Sequence, residues 1–335
     1  MKKYIFFFLC IFSLSFNTKA QDGLEALLLA DNADRSKLIN AYVNPAMKGL
    51  IYGMSSGWYH TAKVHKSFGF DISIGLNASI VPEADEMFKF SDLNLSSVTS
   101  VSSTAATVAG SEDQKPIALV SFQEGGNTYT TQFTMPGGAK ESLPLNAIPT
   151  PAVQVNLGLP GKFEANLRLV PKVGNDDVKG SLLGIGIKKE ITSWFGPMEK
   201  TPLHVSLLAA YTSMNVDYDI QNGSSVSGSN QAAEFKLNSY TVQALASLNF
   251  PIINIYGGLG YTSGSSTLKM LGTYKLDYNG GLTRTLTDPL NSKFNASGFT
   301  TTVGARLSLG FFKVFGSYSL QEYNTANLGI AFSIR

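Results

Sequence analysis

Histidine is the residue type in this sequence best suited to binding a metal or moving a proton, and there are three: His60, His65 and His204. His60 and His65 stand five residues apart without a nearby cluster of carboxylates, a pattern that does not match a zinc site. No Gly-x-Ser-x-Gly motif marks the nucleophile of a hydrolase. We therefore expect no metal site, no cofactor and no catalytic residue, so that the protein is not an enzyme.

The first twenty residues have the character of an export signal. Lys2 and Lys3 precede the apolar run 4–16, and 18–20 supplies the short residues of a cleavage site. The run is shorter than the ~20 residues of a membrane span, so a retained anchor is the less favoured alternative. Cleavage removes the only cysteine, Cys10, and three of the 26 basic residues, which leaves 23 basic residues against 24 acidic ones. Such a mature chain excludes disulfides, thiolate chemistry and an electrostatic search for nucleic acid.

Apolar and polar residues alternate along much of the remaining chain. In 70–80 every even position is apolar and every odd position is polar or glycine, which is typical of a strand with one apolar face. The same period recurs in 153–157, 163–169, 302–309 and 326–335. No stretch reaches 18 consecutive apolar residues, which excludes ordinary transmembrane helices. Many candidate strands reach about 9 to 11 residues, the length that a tilted bilayer crossing requires.

The lengths of the connections favour a transmembrane barrel over a soluble β-sandwich. In a sandwich, nothing would place the short connections at one end and the long ones at the other. With the C-terminus in the periplasm, the short connections fall at the periplasmic end; they are 159–161, 251, 279–280 and 311. The long polar connections fall at the opposite end; they are 82–113, 135–149, 221–234 and 288–296. The count is about 14 strands, or 12 if the hairpin of 114–122 with 128–134 lies outside the membrane.

The stretch 21–67 differs from the rest of the chain. Leucines recur at helical spacing near its start, and we interpret it as a small periplasmic helical element that Pro45 ends. Residues 52–59 would make an odd number of strands, so we place them inside the barrel as part of a plug. The predicted fold class is all-β: an antiparallel transmembrane β-barrel of about 14 strands (12 to 16) with a small N-terminal helical plug. The predicted domains are a signal peptide at 1–20, a helical plug segment at 21–67 and an outer-membrane β-barrel at 68–335.

Five charged or titratable side chains are predicted to face the lumen of this barrel. They are Asp71, Glu164, Arg168, His204 and Arg306. In a channel they would line the pore and set its selectivity. The favoured alternative is that they pair across the interior and hold its shape, because a buried charge generally needs a partner.

Two motifs near the start of the chain resemble those of known families. Asn44-Pro45-Ala46 resembles the Asn-Pro-Ala motif of FadL-type outer-membrane transporters of hydrophobic compounds, which have fourteen strands and an N-terminal plug. The resemblance implies that an apolar small molecule diffuses into the barrel, that the plug gates it, and that it leaves through a gap in the wall. It also implies that Asn44 tethers the plug by side-chain hydrogen bonds, whereas the alternative is that the three residues form a turn. The wider block 42–72 resembles the N-terminal signature of an uncharacterised family of secreted bacterial proteins.

The sequence therefore predicts a passive conduit for hydrophobic small molecules in the outer membrane of a Gram-negative bacterium. Its partners would be outer-membrane lipid and an apolar small-molecule ligand, with no nucleic acid and with any protein partner unknown. The alternative is a structural or docking barrel that binds secreted or surface proteins without transport, with a sealed lumen and partner-binding loops. A barrel enzyme is a third class. Alternation alone does not distinguish the three, because all of them share the same wall.

Overall fold

The computed structural model describes residues 27–124, 126–175, 178–220, 227–278 and 282–334. The predicted signal peptide lies outside these residues. Within them the chain forms one α-helix, several short 3₁₀ segments and sixteen β-strands. None of the helical segments in the described ranges is long and apolar enough to cross a membrane.

The strands are numbered in chain order. The first six are β1 (Phe70–Ile80), β2 (Met87–Lys89), β3 (Val98–Ser100), β4 (Thr104–Ala106), β5 (Ile117–Glu124) and β6 (Asn127–Thr134). The next five are β7 (Ala147–Leu159), β8 (Phe163–Gly174), β9 (Val178–Glu190), β10 (Leu203–Asp219) and β11 (Ser227–Asn249). The last five are β12 (Ile253–Tyr278), β13 (Leu282–Thr287), β14 (Leu290–Leu309), β15 (Phe312–Leu320) and β16 (Thr325–Ile334).

Ten of the described strands close a ring of antiparallel pairs. The order around the ring is β1, β7, β8, β9, β10, β11, β12, β14, β15 and β16, and the ring closes where β16 pairs with β1. β13 pairs with the last residues of β12, which extend past the first residue of β14. A closed ring leaves no unpaired sheet edge in the wall, as a membrane-spanning sheet requires. The predicted fold class, an antiparallel β-barrel with a helical plug, is confirmed.

One predicted hairpin lies outside the ring. The segments 114–122 and 128–134 form β5 and β6, which join β3 in a separate three-stranded sheet. This outcome follows the alternative in which the hairpin lies outside the membrane. β2 and β4 form a second small sheet in the same region. We call residues 81–146, which hold β2 to β6, the outer layer.

Two strands of the ring, β12 and β14, are longer than predicted. The ring therefore has fewer strands than the sequence predicts. The predicted strands 252–262 and 268–277 are one strand, β12. The predicted loop 288–296 instead begins β14, which pairs with β12 there. The Gly-Ser run 264–266 suggests a turn in the sequence, but it stays paired in the wall. A Cβ on Gly264 would lie 2.7 Å from Ile51, so this glycine leaves room for the plug instead of making a turn.

The plug begins with helix α1 (Asn32–Ser55) and continues as an irregular segment, residues 56–69, that leads into β1 and that we call the strap. Pro45 does not end the helix as predicted, but lies buried inside it. A proline removes one hydrogen bond from a helix, so packing must maintain its continuity. Pro45 lies between two packed regions: Tyr42 belongs to a hydrophobic cluster that includes the outer layer, and Ile51 belongs to a second cluster with residues of the barrel wall.

The helix lies at the end of the barrel that carries the long connections, which we call the outer end. Tyr42 donates its hydroxyl to the Gly137 carbonyl at 2.8 Å, and Lys37 Nζ donates to the Asn94 carbonyl at 2.6 Å, both in the outer layer. The strap then runs to the inner end, where β1 begins and β16 ends. The prediction of a helical element at the same end as the C-terminus is therefore wrong. The chain crosses the lumen before the wall begins, which periodicity along the sequence does not reveal.

The wall has an apolar outer face and a polar inner face, as the alternation predicts. On β1, Ile72, Ile74 and Leu76 are 43%, 38% and 46% exposed, whereas Asp71 and Ser73 are buried. The other strands of the ring repeat this division. The outer face is therefore a continuous apolar surface around the barrel.

Exposed aromatic residues lie near both ends of the apolar face. Those near the inner end are Phe68, Phe163, Trp194, Phe195, Phe250, Phe311 and Phe332. Those towards the outer end are Tyr211, Tyr240, Tyr261, Phe299 and Tyr318. Phe250 follows Tyr240 by ten positions in the chain. At ~3.3 Å per residue and a strand tilt of ~40°, that separation spans about 25 Å, the height of the apolar band of outer-membrane barrels.

Candidate functional site in the plugged lumen

Arg168, on β8, holds the end of helix α1 inside the barrel. Its buried guanidinium donates Nη1 to the Met54 carbonyl at 3.0 Å and Nη2 to the Ser56 carbonyl at 2.9 Å. It also donates Nε to Gln154 Oε1 at 2.8 Å and stacks on Trp58, with Cζ 3.8 Å from the ring centroid. The last carbonyls of a helix lack helical partners and carry its negative dipole end. A cation is therefore well placed at this position.

A chain of histidine, carboxylate and lysine side chains links the strap to the wall near the inner end. His65 Nδ1 lies 2.8 Å from Glu164 Oε2, and its Nε2 lies 3.2 Å from Asp71 Oδ2. His60 Nε2 lies 3.2 Å from the same Asp71 oxygen. Lys188 completes the chain, with Nζ 2.7 Å from Glu164 Oε1. Each wall carboxylate is thus in contact with an imidazole of the plug.

Arg306, on β14, fixes the tautomer of His60. Its Nη1 lies 3.0 Å from His60 Nδ1. Because a guanidinium only donates, Nδ1 must accept, which assigns the proton to Nε2 on the side of Asp71. Arg306 Nε is buried and has no hydrogen-bond partner among the described residues. A neutral His60 therefore separates the Arg306 and Asp71 charges.

His204 lies apart from this chain of side chains, on β10 at the inner end. Its Nδ1 lies 2.9 Å from Glu190 Oε1. The other oxygen of Glu190 accepts the backbone N–H of Val64 at 3.1 Å. His204 therefore contacts the strap through Glu190. The other four predicted lumen residues lie buried inside the ring, and whether any of the five lines a transport path stays a prediction.

Side chains of the wall also hydrogen-bond the main chain of the strap. Ser247 Oγ accepts the N–H of Ala62 at 3.1 Å, and Ser206 donates its hydroxyl to the Ala62 carbonyl. Lys188 Nζ donates to the Thr61 carbonyl at 3.3 Å. A buried irregular segment must find such partners, because its backbone groups have none in a helix or sheet. The inner face of the wall supplies them.

Glycines in the wall leave recesses for aromatic side chains of the plug. A Cβ on Gly184 would lie 2.9 Å from Trp58 Cη2. A Cβ on Gly258 would overlap the hydroxyl of Tyr59. Both aromatic side chains are buried. The wall and the plug are therefore complementary in shape as well as in charge.

The motif Asn44, Pro45 and Ala46 lies in the middle of helix α1 and does not form a turn. Pro45 is buried, and its two neighbours are half-buried. The side chain of Asn44 makes no hydrogen bond with any residue of the described ranges, so its tethering role stays a prediction. The hydrogen bonds that hold the plug come instead from Arg168 and from the contacts of the strap.

Asp34, in the first turn of helix α1, joins the helix to the outer layer. Its carboxylate accepts the backbone N–H groups of Ser96 at 2.9 Å, Ser97 at 2.6 Å and Val98 at 3.2 Å. Burial by itself raises the pKa of Asp34, but the hydrogen bonds from Ser97, Ser96 and Val98 outweigh that effect and hold the pKa below its ordinary value. Sequence reasoning did not find Asp34, because its partners lie more than sixty residues away in the chain.

The histidine contacts also differ from the expectation that no carboxylate cluster lies near His60 and His65. Asp71 and Glu164 approach them from β1 and β8. The inward register of both carboxylates is visible in the alternation, but the path of the strap is not. Among the described residues, no group of three or more histidine, aspartate or glutamate side chains is arranged to hold a metal ion.

Comparison with known protein families gives a match that covers nearly the whole chain. The model of a family of unknown function, DUF6588, matches residues 1–334. The chain belongs to this family. No curated protein matches it.

Three solved structures are similar to this member of the family at low sequence identity. Ail, the attachment invasion locus protein of Yersinia pestis, is 9% identical; 80% of this chain and 99% of Ail are covered, with a TM-score of 0.27. The translocator domain of autotransporter NalP from Neisseria meningitidis is 10% identical, with 85% and 92% covered and a TM-score of 0.29. The transport unit of the autotransporter AIDA-I from Escherichia coli is 10% identical, with 90% and 99% covered and a TM-score of 0.28. The closed barrel of this chain rests on its own strand pairing.

Proposed function

We propose that this chain is an outer-membrane β-barrel of a Gram-negative bacterium whose lumen is closed by its own plug. The proposed role of the barrel is to hold the outer layer at the cell surface as a docking platform for secreted or surface proteins. The membrane location is supported by the apolar band of about 25 Å between two sets of aromatic residues. The predicted signal peptide agrees with export.

The proposal that the lumen is closed is supported by the fit between the plug and the wall. The glycine recess at Gly184 receives Trp58, and Arg168 holds the helix end by two carbonyls. Removing the plug would leave Asp71 without either of its imidazole partners, whereas Glu164 would lose His65 and keep Lys188 of the wall. Because unpaired buried charges are costly, the plugged state is strongly favoured.

A conduit for hydrophobic molecules is the competing function. It requires the plug to leave its seat and an apolar solute to pass charged and amide side chains such as Arg168 and Asn166, where it would displace hydrogen bonds. The ring of ten described strands also differs from the fourteen strands that the FadL resemblance implies. These features favour docking without transport.

The test is reconstitution of the mature protein in planar bilayers and in liposomes. Potassium chloride conductance and uptake of a fluorescent fatty acid are measured for the wild type and for a variant that lacks residues 22–66. We expect a silent wild type and a conducting deletion variant. The double variant Arg168→Ala with His65→Ala, which keeps the whole chain, should conduct intermittently if the deletion variant does not fold. A wild type that takes up the fatty acid above protein-free liposomes would support the conduit instead.

A further inference from the structure

The three-stranded sheet of the outer layer has an open edge at β6. The strand order is β3, β5, β6, and β6 pairs with β5 alone among the described strands. Four alternate residues of β6 are exposed; they are Thr128, Thr130, Gln132 and Thr134. Between them, Thr131 and Phe133 are buried, and Phe133 belongs to the hydrophobic cluster shared with helix α1. One face of β6 is therefore packed against the protein, and its other face is exposed.

The ladder with β5 determines which backbone groups point outward from this edge. Met135 donates its N–H to the Pro116 carbonyl at 2.9 Å, which makes this a hydrogen-bonded pair. In an antiparallel ladder, hydrogen-bonded pairs recur at every second residue. The odd residues of β6 therefore bond to β5, and the backbone groups of the even residues, Thr128 to Thr134, point to the open side. No described backbone group pairs with them.

This edge lacks the features that normally prevent edge-to-edge pairing. Exposed edge strands are usually short, bulged, or marked by proline or charged side chains. The opposite edge, β3, is three residues long. β6 has eight residues, pairs with β5 without a register shift, and contains no proline and no charged residue. An edge of this kind can accept another strand.

We propose that β6 pairs with β6 of a second copy of this chain, so that two outer layers form one six-stranded antiparallel sheet. The outward-pointing residues of the two copies must face each other. In the register that uses all four of them, Thr128 lies opposite Thr134 and Thr130 lies opposite Gln132. Thr131 then faces its own copy at the two-fold axis. The pairing opposes no like charges and sets hydroxyl and amide side chains across from one another, which suits cross-strand contact. This proposal rests on the docking function proposed above and names the partner.

The first experiment uses disulfide trapping, because the predicted mature chain contains no cysteine. In the proposed register Thr131 of each copy forms a non-hydrogen-bonded pair with Cα atoms about 4.5 Å apart, within the range that a disulfide bridges. Membranes that carry Thr131→Cys should yield a covalent dimer on oxidation. Thr99→Cys, on the other edge strand of the same sheet, is the matched control and should stay monomeric. Equal cross-linking of both variants, or of neither, would overturn the proposal.

The second experiment measures oligomeric state by native mass spectrometry in mild detergent. We expect the wild type to be a dimer, Thr130→Lys to lose it, and Thr99→Lys to keep it, because only the first substitution places a charge on the β6 edge. A Thr130→Lys protein that stays dimeric would place the interface elsewhere. A monomeric wild type that remains impermeable to ions would overturn the self-pairing and leave the closed docking platform intact. A conducting wild type would instead overturn the proposed function, whatever its oligomeric state.

Discussion

Arg168 shows how a buried cation can be accommodated without a carboxylate partner. Its guanidinium binds two carbonyls at the end of helix α1, one amide of Gln154 and the face of Trp58. Charge-assisted hydrogen bonds of this kind are stronger than neutral ones. The burial of Arg168 therefore depends on the plug, which supplies two of its hydrogen bonds and the aromatic ring that it stacks on.

At the scale of single residues, the alternation predicts the inward orientation of the lumen charges but not their partners. Asp71 and Glu164 alternate with apolar neighbours, so their face can be deduced from period two. His60 and His65 lie on the irregular strap, where no periodicity fixes a direction. Their contacts with the two carboxylates depend on a three-dimensional path that has no local signature.

The glycine recess predicts a specific effect of one added methyl group. Gly184→Ala should destabilise the folded protein by about 1 to 3 kcal/mol, because its Cβ would lie 2.9 Å from Trp58 and 3.0 Å from Arg168. Gly75→Ala is the matched control, since its Cβ would lie 3.4 Å from the nearest atom and should be tolerated. Urea titration of both variants in the same detergent measures the difference. Equal free energies of unfolding would mean that the recess does not seat the plug.

At the scale of elements, the alternation identified wall strands well where they cross the apolar band and less well above it. Beyond the band the inward residues of β12 and β14 mix apolar side chains such as Met270 and Phe294 with polar ones such as Ser292, so the contrast that defines a strand in sequence is weaker. Pro45 gave the opposite error, because a helix packed on both sides of a proline can continue through it. Local signals therefore failed where tertiary packing outweighed them.

The apolar face of β8 predicts the effect of a charge in the membrane. Leu167 is exposed on the outer face, and Leu167→Arg should cost about 2 to 4 kcal/mol if it lies near the bilayer midplane. Leu145→Arg, at a highly exposed position of the outer layer, is the control and should be nearly neutral. The measurement is the free energy of folding into lipid vesicles. Equal tolerance of both changes would indicate that β8 does not face lipid.

The contact between helix α1 and the outer layer should depend on the charge of Asp34. Its pKa is lower in the folded chain, so its contribution is present above the unfolded value of about 4 and is lost as pH falls through the folded value. Asp34→Asn should weaken this contact by about 1 to 3 kcal/mol at pH 7. Protease cleavage of the outer layer at pH 7 compares the variant with the wild type, and cleavage of the wild type as the pH is lowered below about 4 follows the loss of the charge.

An exposed carboxylate of the same layer provides the comparison for Asp34. Asp92→Asn should leave cleavage unchanged at pH 7, because the only described hydrogen bond of Asp92 is with its neighbour Ser91. If both variants are cleaved at the wild-type rate, Asp34 does not anchor the outer layer.

At the scale of the whole molecule, the chain crosses the barrel in one direction as the plug before the first wall strand returns in the other. It runs through the lumen from the outer end to the inner end as helix α1 and strap, and returns in β1. The number and alternation of strands indicated a barrel, but neither contains information about the direction in which the plug is threaded. The location of the helix at the outer end is therefore known only from the structure.

The direction of the plug is also the most direct test of the closed docking barrel. The measurement is labelling of single cysteines in intact cells with a membrane-impermeant maleimide. Ala33→Cys lies at the exposed start of helix α1, and Ser67→Cys lies at the exposed end of the strap. We predict that Ala33→Cys is labelled in intact cells and that Ser67→Cys is labelled only after the outer membrane is permeabilised. Labelling of Ser67→Cys in intact cells, with Ala33→Cys protected, would contradict the account.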